Sequence, residues 1–306
     1  MTLTELKYIV AVAREKHFGR AAEACFVSQP TLSVAVKKLE EELDVKIFER
    51  GAAEVSVTPL GEQIVRQAQQ VIEQAAAIKE IAKLGKDPVS GPLRLGVIYT
   101  IGPYLLPDLV KQAIARVPQM PLVLQENFTA RLLDMLRTGE LDCAILAEPF
   151  PDTGLAIAPL YDEPFQAAVP ASHPMARRKT ITAEELKNET MLLLGTGHCF
   201  RDHVLEVCPE YARFSSATEG IRKSFEGSSL ETIKYMVASG MGVTVVPQLS
   251  VPREQQEHVR YLKFLAPVPT RRVVLVWRRT FPRYEAIAAL RNAIYACPLE
   301  GVKRLS

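Results

Sequence analysis

Phe18-Gly19-Arg20-Ala21-Ala22, then Val27-Ser28-Gln29-Pro30-Thr31-Leu32-Ser33-Val34, then Lys37-Lys38-Leu39-Glu40: this stretch decides how the chain is read. Ser28 stands where a helix N-cap belongs, and Pro30 falls in the first turn behind it. Leu32, Val36, Leu39 and Leu43 recur at spacings of four, three and four, so one face of that helix is buried. The other face carries Gln29, Thr31, Ser33, Val34, Lys37 and Lys38. Toward the N-terminus, Ala21, Ala22 and Cys25 make the stripe of a second helix, and Leu6, Ile9, Val10 and Val12 that of a first. Three short amphipathic helices joined by tight turns follow from this pattern. A helix-turn-helix offers such a face to the DNA major groove, although a plain three-helix bundle fits the same residues.

Phe48-Glu49-Arg50 and Thr58-Pro59-Leu60-Gly61 extend the pattern. Taken in this order, the motifs resemble the N-terminal domain of LysR-type transcription regulators. The resemblance implies a winged helix-turn-helix over residues 1–58 and a double-stranded DNA operator as partner. The helix from Ser28 would read the groove through Ser28, Gln29, Pro30, Thr31, Ser33, Val34, Lys37 and Lys38. Arg20 and Arg50 would stand beside it, with Phe48-Glu49-Arg50 leading into the wing. Charge alone does not show this, because residues 1–58 hold eight Lys and Arg against nine Asp and Glu. Affinity then rests on local placement of Arg20, Lys37, Lys38 and Arg50, with modest counterion release. Val34 suits a thymine methyl, and the wing tip Gly51-Ala52-Ala53-Glu54 carries no basic residue.

Beyond the wing, Thr58 is a plausible cap with Pro59 in the first turn, and no proline follows until Pro88. Ile64, Ala68, Val71, Ala75, Ile78 and Ala82 alternate at four and three, an a/d seam of nearly three heptads. Such a helix packs either on its own domain or on a second copy. A homodimer through residues 59–84 would set two recognition helices on two half-sites. Gly85-Lys86-Asp87-Pro88-Val89-Ser90-Gly91-Pro92 then reads as a hinge, closing a linker over residues 59–90.

At 306 residues with 48% hydrophobic content and a net charge of +2, the chain has room for two or three compact units. It opens on no signal-peptide pattern and holds no apolar run long enough to span a bilayer, so a cytoplasmic protein without membrane partner is expected. Five scattered cysteines do not form a secreted disulfide framework. No zinc-like spacing, Walker loop or nucleophile elbow occurs, and Gly195-Thr196-Gly197 is too short for a dinucleotide fingerprint. No metal, cofactor or enzymatic activity is expected.

From Leu93 strands and helices alternate: strand Leu93 to Ile98, helix Pro107 to Val117, strand Leu122 to Leu124, helix Thr129 to Thr138, strand Leu141 to Leu146. The pattern restarts near Pro164 to Val169 and runs through Met191 to Leu194, Leu230 to Ser239 and Val243 to Pro247, ending with Val273 to Trp277 and Tyr284 to Tyr295. This βαβ texture predicts a mainly parallel sheet with helices on both faces. It resembles a periplasmic-binding-protein-like α/β effector domain over 91–306. Lobe I would take about 91–161 and 268–306, and lobe II about 162–267, with a ligand cleft between them. Thr100-Ile101-Gly102-Pro103 and Asn127-Phe128-Thr129 would line that cleft, or serve simply as helix caps.

Gly195-Thr196-Gly197-His198-Cys199-Phe200-Arg201-Asp202-His203 follows the buried Leu192-Leu193-Leu194, and Cys208 comes nine residues after Cys199. Helix N-terminal amides and Arg201 can both stabilise a thiolate at Cys199, and His198 can donate a hydrogen bond. A plain core cysteine fits as well. Cys25, Cys143 and Cys297 read as structural.

Gly-His-Cys-Phe-Arg-Asp with its second cysteine, Tyr99 to Pro107, Ser228 to Ile233 and Met236 to Gly240 resemble the peroxide-sensing branch of the LysR-type regulators along essentially the whole chain. By that resemblance the signal is hydrogen peroxide, Cys199 is the peroxidatic thiolate and Cys208 its resolving partner. Thr100, Thr129 and His198 would hold the peroxide, and Arg201 would stabilise the thiolate. A tetramer and contact with RNA polymerase are implied in the same way. Cys199 would pass through a sulfenic acid to a disulfide with Cys208. A helix between them would separate the two by about 13 Å, against the roughly 7 Å a disulfide tolerates, so Arg201 to Val207 would have to unwind. The loop from Pro209 to Gly220 would bear on the strain of that bridge. Two rivals are a regulator that binds a small organic ligand in the cleft and a thiol peroxidase with a DNA-binding tail.

Overall fold

The computed structural model describes the chain except residues 51–54, 85–88, 152–153, 212–223, 228, 255 and 306, and leaves out the side chains of 50, 77, 79–84 and 224–226. The wing tip, part of the hinge, most of the loop after Cys208, and Ser228 therefore lie outside the described residues. The chain divides into two compact units, Met1–Lys86 and Asp87–Ser306.

In the first unit, α1 (Leu3–Glu15) starts at a capping box between Thr2 and Glu5 and stops at Lys16, which takes the left-handed conformation. His17 caps α2 (Phe18–Ala24), its Nδ1 accepting from the amides of Gly19 and Arg20. Ser28 caps α3 (Gln29–Leu43) by accepting from the Thr31 amide at 3.3 Å, with Pro30 in the first turn as read. Leu6, Ile9, Val12, Ala21, Ala22, Leu32, Val36 and Leu39 meet in one core. Three expected core positions fall outside it. Val10 and Cys25 are half-buried at its margin, and Leu43, in the last turn of α3, is 36% exposed. A buried acid that the apolar pattern could not reveal fastens the far side: Glu40 Oε1 accepts from the amides of Ile47 and Phe48 at 2.8 and 3.0 Å. That bond leads the chain into an antiparallel wing of β1 (Phe48–Arg50) and β2 (Val55–Val57).

Thr58 caps the 26-residue α4 (Pro59–Leu84), accepting from the Gly61 amide and donating to the Lys46 carbonyl. Gly61 is required here, because a Cβ would stand 2.3 Å from the Ile47 carbonyl oxygen. The a/d seam divides. Ile64 and Ala68, with Val65 and Ile72, pack on the core of their own unit. Val71 and Ile78 remain 38% and 68% exposed, and the side chain of Ala82 lies outside the described residues.

The second unit is built on a nine-stranded sheet. β4 (Leu122–Asn127) lies at one end, and β3 (Leu93–Ile98) runs parallel between it and β5 (Cys143–Ala147). β6 (Ala156–Pro170) is a single 15-residue strand. Its first half pairs with β12 (Thr270–Trp277), its second with β10 (Thr244–Pro247) and β11 (Val259–Phe264), and all of these pairings are antiparallel. β7 (Thr180–Ile181) adds to β11, β13 (Lys303–Arg304) to β6, and β8 (Met191–Leu194) pairs with β9 (Ser224–Gly227) in a separate ribbon. The sheet is thus mixed, not mainly parallel. Val273 to Val276 are wholly buried, and a strand covered on both faces reads as one apolar run whatever its direction.

Two apolar cores lie along β6. One gathers Leu93, Ile145, Tyr161, Val274 and Leu290, and the other Phe165, Leu192, Phe200, Ile233 and Leu262. α6 (Thr129–Arg137) and α9 (Tyr284–Tyr295) belong to the first core, and α7 (Cys199–Val207) and α8 (Leu230–Ala238) to the second. α5 (Gly102–Arg116) begins five residues before the expected Pro107. Pro103 occupies its first turn, where amides need no partner, and Pro107 forfeits only one early helical hydrogen bond. Among the described residues no helix is long and apolar enough to cross a membrane.

Candidate functional site

Two surfaces collect the residues singled out by sequence. On the first unit, Ser28, Gln29, Pro30, Thr31, Lys37 and Lys38 are exposed along α3, Val34 is 68% exposed, and Ser33 is half-buried. Lys37 pairs loosely with Glu41 one turn on, at 3.5 Å. Arg20 is exposed on α2, yet its guanidinium donates to the Glu15 carbonyl at 2.7 Å, which ties it to the preceding turn. The side chain of Arg50 lies outside the described residues.

On the second unit three loops converge. The end of β3 supplies Ile98, Tyr99 and Thr100. The turn from β4 into α6 supplies Asn127, Phe128 and Thr129, and the start of α7 supplies Gly197, His198 and Cys199. Together they line a cavity of about 10 Å³, on the order of the room one water needs. Cys199 is the first residue of α7, in the turn whose amides have no partner within a helix ladder. Gly197 turns the chain into it at φ +99°, and a Cβ there would press on the Phe128 ring at 3.3 Å. His198 is buried between aromatic rings, 4.9 Å from Phe128 and 5.8 Å from Tyr99 between centroids. The Thr129 hydroxyl is buried and has no hydrogen-bond partner among the described residues. An orphaned hydroxyl on the wall of a small cavity fits an oxygen-bearing ligand.

Thr100 is held from behind. Arg271 donates to its hydroxyl at 2.8 Å and to its carbonyl at 3.0 Å. The same guanidinium forms a fully buried ion pair with Glu163 at 2.8 Å. Glu163 also accepts from the Leu249 amide, and Arg271 lies over the Phe200 ring beside Cys199. Sequence reading missed this pair. Its signal was available: Arg271-Arg272 opens a strand that is otherwise apolar, and Asp162-Glu163 faces it across the ladder. Arg201 does not line the small cavity; its buried guanidinium donates to the Leu194 carbonyl at 2.9 Å.

Cys208 closes the other end of α7 and is fully buried. Burial pushes its thiol up to about 12, with the neighbouring Glu210 carboxylate adding to the effect. Its carbonyl accepts from the Tyr211 amide. The buried Tyr211 hydroxyl donates to the carbonyls of Glu189, at 2.8 Å, and Leu186. The nine residues of α7 hold the two cysteines about 13 Å apart, so no bridge forms while this helix persists. Cys143 and Cys297 are buried in the first core, and all five cysteines are free.

Residues 3–62 match the model of the bacterial regulatory helix-turn-helix proteins of the lysR family, and residues 86–296 that of the LysR substrate binding domain. The chain is 41% identical over 292 residues to the hydrogen peroxide-inducible genes activator of Pectobacterium carotovorum, covering 94% of this chain and 95% of the relative. It is 40% identical to the DNA-binding transcriptional dual regulator OxyR of Escherichia coli, over 94% of each. Among solved structures, a full-length cysteine-to-aspartate variant of OxyR from Pseudomonas aeruginosa superposes with a TM-score of 0.76 at 52% identity, covering 97% of this chain and 96% of that one. A hydrogen peroxide-bound cysteine-to-serine variant of Corynebacterium glutamicum OxyR gives 0.63 at 33% identity, covering 96% and 91%.

Proposed function

This chain belongs to the LysR family of bacterial transcription regulators, and from that premise we propose that Cys199 is its peroxide-reactive centre and Cys208 the thiol that captures the product. The protein is a redox-responsive regulator of the OxyR kind, not an enzyme. Residues 1–58 bind an operator through the exposed face of α3. Residues 59–90 join two copies, with Val71 and Ile78 as the uncovered apolar positions that support a dimer. Residues 91–306 sense the oxidant. A tetramer made of two such dimers, contact with RNA polymerase, and a cytoplasmic setting complete the reading.

The observation that carries it is the meeting of Cys199 with Thr100 and the partnerless Thr129 hydroxyl at one small cavity. The Cys199 thiolate attacks one peroxide oxygen, so an S–O bond forms as the O–O bond breaks. The electron pair leaves with the distal oxygen, which takes up a proton as water. The Thr129 and Thr100 hydroxyls and the His198 ring hold the two oxygens, and Arg201 adds positive charge from the same helical turn. The sulfenic acid then condenses with the Cys208 thiol, releasing a second water. Because α7 keeps the sulfurs apart, its residues Arg201 to Val207 unwind, and that refolding changes the contacts between copies and so the spacing of the DNA-binding units.

Mass spectrometry of intact and alkylated protein tests this before and after one equivalent of hydrogen peroxide. Loss of two hydrogen atoms, mapped to Cys199 and Cys208, is expected. Two alkylatable thiols at these positions after treatment would overturn the reading.

A further inference from the structure

The turn between α2 and α3 carries Phe26, which at 96% is the most exposed large apolar side chain among the described residues. Its backbone lies in the left-handed region at φ +56°, where a bulky residue is rarely found. The way α2 ends imposes this. The Val27 amide donates to the Ala22 carbonyl and the Phe26 amide to the Glu23 carbonyl, both at 3.0 Å. That closure puts its left-handed residue at position 26, which glycine usually fills. Lys16 and Asp44 are left-handed too, but both are polar. Phenylalanine here gains nothing from the backbone, and its ring adds nothing to the core. A strained and uncovered aromatic points to a role outside the fold.

Its place indicates which role. Phe26 stands two residues before Ser28, the cap of α3. The first residues of a recognition helix are those that reach base edges, so the chain entering α3 passes the wall of the groove. Val34, 68% exposed, already gives the reading face an apolar element. Charge on this unit is weak, with eight Lys and Arg against nine Asp and Glu in residues 1–58. Arg20 is tied to the Glu15 carbonyl and Lys37 to Glu41. Where phosphate contacts supply little, apolar contacts to bases carry more of the recognition. The apolar group in the major groove is the thymine C5-methyl, and a phenylalanine ring can cover it.

Resting on the reading of α3 as the operator-binding helix, we infer that Phe26 is a specificity-determining residue whose ring covers a thymine methyl at the edge of each half-site. The test selects duplexes from a randomised pool with full-length reduced protein, as wild type, Phe26→Gly and Phe26→Tyr. Glycine suits the left-handed position, and tyrosine keeps the ring. Wild type and Phe26→Tyr should enrich a thymine at one position per half-site that Phe26→Gly leaves random, with all other positions shared. Replacing that thymine by deoxyuridine removes only the methyl. It should weaken wild type by about 5-fold to 10-fold and leave Phe26→Gly unchanged.

Identical selections and affinities for wild type and Phe26→Gly overturn the inference. A uniform loss on every duplex also overturns it and assigns the ring to the sugar-phosphate backbone. Dissociation of Phe26→Gly into monomers overturns it in favour of a contact between copies. If wild type enriches no sequence at all, the operator reading beneath it fails instead. Should Phe26→Gly not fold, the wild type decides: indifference to deoxyuridine at every thymine of its selected site overturns the inference.

Discussion

The two ends of α7 carry the same functional group in opposite surroundings. At its N-terminus Cys199 is half-exposed and lines a cavity with an orphaned hydroxyl on its wall. At its C-terminus Cys208 is sealed in an apolar core, its thiol pushed up to about 12 by burial. Thiolate is the reactive form of sulfur, and burial holds Cys208 in the unreactive thiol form at neutral pH. The difference teaches that order is built into the fold. On the proposed chemistry, one end would react first, and the other would become available only when the helix between them gives way.

Exchanging each sulfur in turn is the most severe test of that order. Cys199→Ser should abolish oxidation by one equivalent of peroxide, leaving Cys208 alkylatable only after denaturation. Cys208→Ser should keep the first oxidation at its native rate and stop at a sulfenic acid, detected with a sulfenic-acid-selective probe. Equal loss in both variants would show that the two ends are not chemically distinct.

Thr129 gives a sharper contrast because its hydroxyl does nothing for the fold. Thr129→Val keeps the shape and removes a buried unpaired polar atom. We expect the peroxide rate constant to fall by about 10-fold while stability holds or rises by about 1 kcal/mol. Thr100→Val should slow the reaction too, but lower stability by about 1–3 kcal/mol, since it takes an acceptor from the buried Arg271. Stopped-flow oxidation and urea melts separate the two. A Thr129→Val protein that is as fast as wild type would remove that hydroxyl from the peroxide site.

At the sealed end, Tyr211 is the fastening. Tyr211→Phe removes a hydroxyl bound to two backbone carbonyls and should cost about 1–2 kcal/mol of local stability. The conversion of sulfenic acid to disulfide should then speed up by about 5-fold to 10-fold, with the first oxidation unchanged. An unaltered second step would mean that the release of Cys208 is governed elsewhere.

How much of this was legible in the sequence follows from which interactions are local. The caps at Ser28 and Thr58, the apolar stripe of α3 as far as Leu39 and the limits of α9 are set by neighbours within a few residues, and they were read correctly. The start of α5 was misread because Pro107 looks like a helix opening when Pro103 is the one that serves. Strand direction in the sheet was misread because Val273 to Val276 are buried on both faces. At the site, Thr100, Thr129, His198 and Cys199 came from motif resemblance, and the structure does bring them together. The Glu163–Arg271 pair spans two strands distant in sequence, so only the fold could set it behind Thr100.

His203 is the mildest way to probe the helix that separates the two ends. It lies mid-way along α7, and its Nε2 donates to the Glu148 carbonyl at 2.7 Å, joining α7 to the segment after β5. Burial lowers its pKa below the usual 6.5, with the nearby Arg271 charge acting in the same direction and the Glu148 carbonyl, Glu206 and Asp202 opposing. The ring is therefore neutral in the fold at pH 7, whereas in the unfolded chain it takes up a proton near 6.5. Between that value and the lower folded pKa the unfolded state binds more protons, so stability falls as pH drops through the window. Above 6.5 both states are neutral and the contribution is fully present. His203→Gln keeps a donor but cannot titrate. It should flatten the acid limb of stability that sets in as pH falls below 6.5. Urea melts of the reduced protein across that range measure it. An acid limb of unchanged slope would place the pH sensitivity outside α7, and would leave the helix between the cysteines held by packing alone.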